Sequence, residues 1–120
     1  MAARDLSFPR SRRLTRAAEF RQVRESGKKL GGDFVAISVL DTQTAAPFRS
    51  GIITSRKIGG AVVRNRTRRR LREVVRRNQR AIRPGIWIVT IARPRAATAT
   101  YHELEQDWLR LAKRASILSV

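Results

Sequence analysis

A chain of 120 residues with 42% hydrophobic content has room for one domain with one modest core, and is too apolar for a disordered tail. Its 27 Lys+Arg against nine Asp+Glu give a formal charge of +18, which calls for a polyanionic partner. The absence of cysteine excludes disulfide frameworks and thiolate metal sites, and no apolar run approaches the length of a membrane span. Arginine outnumbers lysine by 23 to four. Arginine forks onto phosphate and stacks on bases, so the bias suits RNA, although genome composition produces the same bias. The opening MAARDLSFPRSRR lacks the apolar core of a signal peptide, and a cytoplasmic location is expected.

Residues 1–13 are polar, basic and broken by Pro9, which predicts a flexible arm; Arg12 and Arg13 read equally as a solvated tail or as an RNA grip. Thr15 to Ser26 predicts a short helix that Thr15 caps and Gly27 stops. Phe20 on it belongs to a core or, amid Arg16, Arg21 and Arg24, under a nucleobase. Lys28-Lys29-Leu30 suggests a short edge strand. Phe34 to Leu40 predicts a strand with Phe34, Ala36, Ser38 and Leu40 on one face and Val35, Ile37 and Val39 on the other. Arg49 to Ser55 predicts a second strand, paired to the first as an antiparallel hairpin.

The stretch Ser55 to Arg80 holds 11 of the basic residues and one acid, Glu73. Gly59-Gly60 opens it and Pro84-Gly85 follows it, which predicts one helix over about Ala61 to Gln79. On a helical wheel Val63, Thr67, Leu71, Val74 and Val75 share one side, and Asn65, Arg68, Arg69, Arg72 and Arg76 the opposite one. So many like charges repel at i, i+4 spacing. Core burial and a polyanion must offset that repulsion. The helix start beside Gly59-Gly60 would also aim backbone amides at a phosphate.

Gly85 to Ala92 is a continuous apolar run typical of an interior strand, with Trp87 read as core. Thr100 to Leu118 carries a capping box, Thr100 with Glu103, and apolar residues at helical spacing through Trp108. The order α-β-β-(β)-α-β-α predicts an α+β fold, a two-layer α/β sandwich with one small mixed sheet, in a single domain spanning 1–120. No catalytic set is present: His102 lies beside a helix cap, and the scattered acids Glu103, Glu105 and Asp107 complement a helix dipole. Neither catalytic nor metal-ligating residues are assigned to the protein.

Ser55-Arg56-Lys57-Ile58-Gly59-Gly60-Ala61-Val62-Val63-Arg64-Asn65-Arg66, followed by Arg68, Arg69, Leu71, Arg72 and Glu73, closely resembles the protein subunit of bacterial ribonuclease P. The resemblance extends from Leu14 through Phe20 to Thr100-Tyr101. It implies a ribosomal-protein-like fold with an unusual left-handed βαβ crossover. It implies a monomeric protein in a 1:1 complex with a catalytic RNA, which removes the 5′ leader of precursor tRNA with Mg2+ bound mainly by the RNA; no membrane is involved. Carried onto this chain, the RNA-binding residues are Arg56, Lys57, Arg64, Asn65, Arg66, Arg68, Arg69 and Arg72. The leader cleft falls to Arg12, Arg13, Phe20, Arg24, Phe34 and Ile37. Arg24 and Ile37 stand where many relatives carry aromatic residues, so a leader held more by phosphate contact than by stacking is expected. A ribosomal RNA-binding protein, a DNA-compacting basic protein and a merely solubilising arginine face are the rival readings.

Overall fold

The computed structural model describes residues 10–119. Three helices, α1 (Ala17–Ser26), α2 (Ala61–Arg77) and α3 (Tyr101–Arg114), pack on a four-stranded sheet. Its strands are β1 (Lys28–Gly31), β2 (Val35–Asp41), β3 (Arg49–Ile53) and β4 (Ile86–Ala92), in the order β1-β2-β4-β3. The mixed α+β architecture expected from the element order is thus present.

The predicted β2–β3 hairpin does not form. Strand β4 lies between the two, antiparallel to β2, with Ile37 opposite Thr90, and parallel to β3, with Gly51 opposite Val89. The reason lies in composition. An interior strand buries both faces, and IWIVTIA is apolar almost throughout, whereas β3 carries Arg49, Ser50 and Gly51 and takes an edge. Strand β1 forms the other edge, antiparallel to β2.

The strand alternation divides the apolar residues between two faces. Val35, Ile37 and Val39 join Ile86, Ile88, Leu71, Val74, Leu104, Trp108 and Leu111 in the main core beneath α2 and α3. Leu14, Val23 and Val89 form a smaller cluster under α1, with Phe20, Leu40, Ile53, Trp87 and Ile91 packed around it. Trp87 is therefore half-buried on the α1 face, where the Arg49 guanidinium lies 5.3 Å from its ring centroid.

Helix α3 starts as the sequence indicates. Thr100 Oγ1 accepts from the Glu103 amide at 3.1 Å, and Glu103 Oε1 accepts from the Thr100 amide at 2.9 Å. Trp108, fully buried, donates its indole N–H to Thr90 Oγ1 at 3.1 Å. Helix α1 begins later than expected: Arg16 is its N-cap, and Glu19 rather than Thr15 serves the free amides, accepting from Thr15 and Arg16 at 3.0 and 3.1 Å.

Asp107, expected only to complement the helix dipole, is a buried anchor. Its carboxylate accepts from the amides of Asp33 (3.2 Å), Phe34 (2.8 Å) and Val35 (3.0 Å), and from Arg110. Gly32 permits this approach, because a Cβ there would lie 2.5 Å from Asp107 Oδ2. Burial pushes the Asp107 pKa up, but the amides and Arg110 together hold it below its ordinary value.

Residues 1–9 of the expected arm lie outside the described residues. The rest of it is docked: Arg10–Arg12 form a 3-10 turn, Arg13 bridges Ser50, and the Leu14 amide donates to the Ser50 carbonyl at 2.9 Å.

Candidate nucleic-acid interface

Helix α2 buries Thr67, Leu71, Val74 and Val75, the face the wheel assigned to the core, and turns the remainder outward. Asn65, Arg69 and Arg72 are exposed, and Arg64, Arg66 and Arg68 half-exposed. Arg56 and Lys57 are exposed in a 3-10 turn before α2, where Ser55 Oγ accepts from the Lys57 amide at 3.3 Å. Gly60 offers α2 no side-chain cap, so its first-turn amides meet whatever approaches that end.

The arginines of α2 differ in what engages them. Arg66 and Arg70 donate to the carbonyls of Ala97 (3.3 Å) and Ala99 (2.9 Å), tying α2 to the segment before α3. Arg76 pairs with Glu73 through Nε at 2.9 Å. Arg68 donates to Thr54 Oγ1 at 2.7 Å and to Asn65 Oδ1 at 3.4 Å. Desolvation, then the neighbouring charges of Arg13 and Arg68, push the Arg72 pKa down. The guanidiniums of Arg13, Arg68 and Arg72 are thus crowded together.

Two adjoining concavities lie along α1. A groove of about 750 Å3 is lined by Thr15, Ala17, Phe20, Arg21, Arg24, Lys29 and Ile53, with Glu25 at its side. A smaller cavity of about 180 Å3 sits between α1, β3 and α2, and Phe20 lines both. Arg13, Arg68 and Arg72 line the smaller one, above Ser50 and Gly51. Gly51 makes room for the ring, since a Cβ there would lie 2.5 Å from Phe20 Cζ. Arg49 braces the wall: its Nη1 meets Glu19 Oε2 at 2.6 Å and its Nη2 donates to the Arg13 carbonyl at 2.8 Å.

A model of the ribonuclease P family matches residues 8–116. This chain belongs to the ribonuclease P protein family. It is 38% identical to the ribonuclease P protein component of Brevibacillus brevis, over 91% of this chain and 86% of that one. It is 40% identical to the component from Symbiobacterium thermophilum, over 88% and 92% of the two chains. The solved RNase P protein of Staphylococcus aureus matches with a TM-score of 0.81 and 25% identity, over 90% of this chain and 98% of that one. The Thermotoga maritima RNase P protein matches with a TM-score of 0.75 and 29% identity, over 85% and 96%.

In this ribonuclease P protein the expected leader-cleft residues separate. Phe20, Arg13 and Arg24 line the two concavities. Ile37 does not offer them a side chain: it is fully buried in the main core, on the sheet face away from α1. Phe34 is also on the far side, beside His102, Glu103 and Gln106 of α3, with the Arg95 guanidinium 5.0 Å from its ring centroid. Arg12 packs toward the end of α2, donating to Gln79 Oε1 at 3.3 Å and lying 5.2 Å from the Phe48 ring centroid. Residues that the sequence reading did not assign to this surface include Lys29, Ile53, Gly51 and Thr54. Lys29 and Ile53 reach the groove through strand pairing, which no local pattern encodes. Among the described residues no group of three or more His, Cys, Asp or Glu could hold a metal ion, and no helix is long and apolar enough to cross a membrane.

Proposed function

We propose that this chain is the protein subunit of a ribonuclease P holoenzyme, one protein per catalytic RNA. It binds that RNA through the basic surface of Arg56, Lys57, Arg64, Asn65, Arg66, Arg68, Arg69 and Arg72. It binds the 5′ leader of precursor tRNA in the α1 groove, whose adjoining cavity Arg68 and Arg72 also line. Leader hydrolysis is the work of the RNA, with Mg2+ held mainly there. The observation that carries this reading is the shared cavity wall: Arg68 and Arg72 of α2 meet Phe20 of α1 in one concavity. A single strand in the groove is thereby continuous with the basic helix.

The chemistry is electrostatic. Folded RNA and tRNA repel each other, and each phosphate met by a guanidinium releases counterions, so binding falls steeply with salt. Asn65 both donates and accepts, which arginine cannot do. Among the described residues the groove offers one aromatic ring, Phe20, amid Arg21, Arg24 and Lys29, so phosphate contact outweighs stacking in holding the leader.

Reconstitution tests this. The purified chain is mixed with a bacterial ribonuclease P RNA and precursor tRNA at low magnesium, and leader release is followed. The chain should restore cleavage that the RNA alone performs poorly, and Arg64→Ala should lower it at low but not at high magnesium. Cleavage by the chain without RNA, or an equal Arg64→Ala loss at both magnesium levels, would overturn the reading.

A further inference from the structure

Arg68 differs from its neighbours in being held at short range by a side-chain hydroxyl while it lines the small cavity. Arg49 is met by the Glu19 carboxylate and Arg76 by that of Glu73, so both charges are compensated within the protein. Arg66 and Arg70 are tied to carbonyls remote from the small cavity. Arg68 is held by a hydroxyl, Thr54 Oγ1 at 2.7 Å, with the more distant Asn65 Oδ1 at 3.4 Å as second acceptor. A hydroxyl fixes the direction of a guanidinium without cancelling its charge. Two of the five N–H donors are used, and the others remain for a ligand.

The surroundings define that ligand. Among the described residues the guanidiniums of Arg68 and Arg72 line the cavity beside Arg13, with Phe20 at its side. The chemistry this combination recognises is one phosphodiester with an adjacent nucleobase on the ring.

We infer that Thr54 is a positioning residue that holds Arg68 beside Arg72, so that the two guanidiniums take a single backbone phosphate of the strand whose base lies on Phe20. This rests on the leader-binding reading above and assigns a role to a residue outside the basic motif. Thr54 lies one position beyond the end of β3, so the sheet carries its hydroxyl to Arg68, the α2 guanidinium that lines the cavity.

The holoenzyme is assembled with wild-type protein, Thr54→Val and Thr54→Ser, and its affinity for precursor tRNA with and without a leader is measured across salt. Thr54→Val keeps the side-chain shape and removes the acceptor. It should weaken leader-bearing substrate by about tenfold, the scale of one hydrogen bond to a charged group, and leave leaderless substrate unchanged. The salt slope for the leader-bearing substrate should shrink by about 0.7, the contribution of one single-strand phosphate. Thr54→Ser should restore both, and in an Arg68→Ala background Thr54→Val should have no further effect. Equal losses for both substrates, wild-type behaviour of Thr54→Val, or an undiminished loss in the Arg68→Ala background would each overturn the assignment. Wild-type protein that binds both substrates alike would instead remove the leader reading itself, and this assignment with it.

Discussion

The two faces of the sheet are built from the same strands but differ in how completely they are covered. Beneath α2 and α3 the apolar residues are sealed: Ile37, Ile88, Leu71, Leu104 and Trp108 have no exposure, and the one indole donor is satisfied by Thr90. Beneath α1 only Leu14, Val23 and Val89 are buried, while Phe20, Ile53, Trp87 and Ile91 stay partly open beside arginines. A 10-residue helix is too short to cover this face, and what it leaves open is the groove. Stability is concentrated on one face, and the proposed recognition surface is on the other. Substitutions should therefore divide into those that unfold the chain and those that disarm it.

The largest effect should come from the sealed face. Trp108→Ala empties the centre of the main core and strands Thr90, and should cost about 3–5 kcal/mol in chemical denaturation, with substrate binding lost only through unfolding. Asp107→Asn should follow at about 2–3 kcal/mol, because three amides and Arg110 lose a charged acceptor. Its pH signature is specific. The folded pKa of Asp107 lies below its unfolded value, so its contribution is present above the unfolded pKa and fades as pH falls below about 4. Asp107→Asn should flatten that acid limb of the denaturation midpoint, and an unchanged limb would remove Asp107 as its source.

Gly51→Ala tests whether the faces are separable. The new methyl must displace the Phe20 ring, so it should cost about 1–3 kcal/mol and also reduce leader discrimination, read by melting and by substrate affinity. A loss of stability with full discrimination would show that Phe20 need not lie in that cavity. Thr100→Ala, which uncaps α3, should cost about 1 kcal/mol and leave RNA affinity unaltered. The smallest stability change is expected on the open face. Arg24→Ala should remain within about 0.5 kcal/mol of wild type while reducing the salt slope for leader-bearing substrate. If Phe20→Ala abolishes leader discrimination while Arg24→Ala leaves that slope intact, stacking and not phosphate contact holds the leader.

Much of this was legible in the chain. The apolar stripe of α2, the Thr100–Glu103 capping box and the interior character of Gly85 to Ala92 are local patterns, and local patterns survive folding. The alternation along β2 also correctly grouped Val35, Ile37 and Val39. What alternation could not say was which group faces α1. The family resemblance placed Phe34 and Ile37 in one cleft, but Ile37 lies on the face under α2 and α3, and Phe34, one residue before β2, packs beside α3. The roles of Asp107 and Thr54 were equally hidden, because their partners Phe34 and Arg68 lie 73 and 14 residues away and are reached only by packing.

Charge, the presence of three helices and the basic motif are properties of neighbouring residues, and the sequence by itself determined them: a strongly basic α+β chain with an arginine helix. Strand order, the face each helix covers and the meeting of Arg13, Arg68, Arg72 and Phe20 were decided only by the tertiary structure. The physical reason is that β4, the most apolar strand, is buried most completely between β2 and β3. That long-range choice dictates what the remaining faces can offer to a ligand.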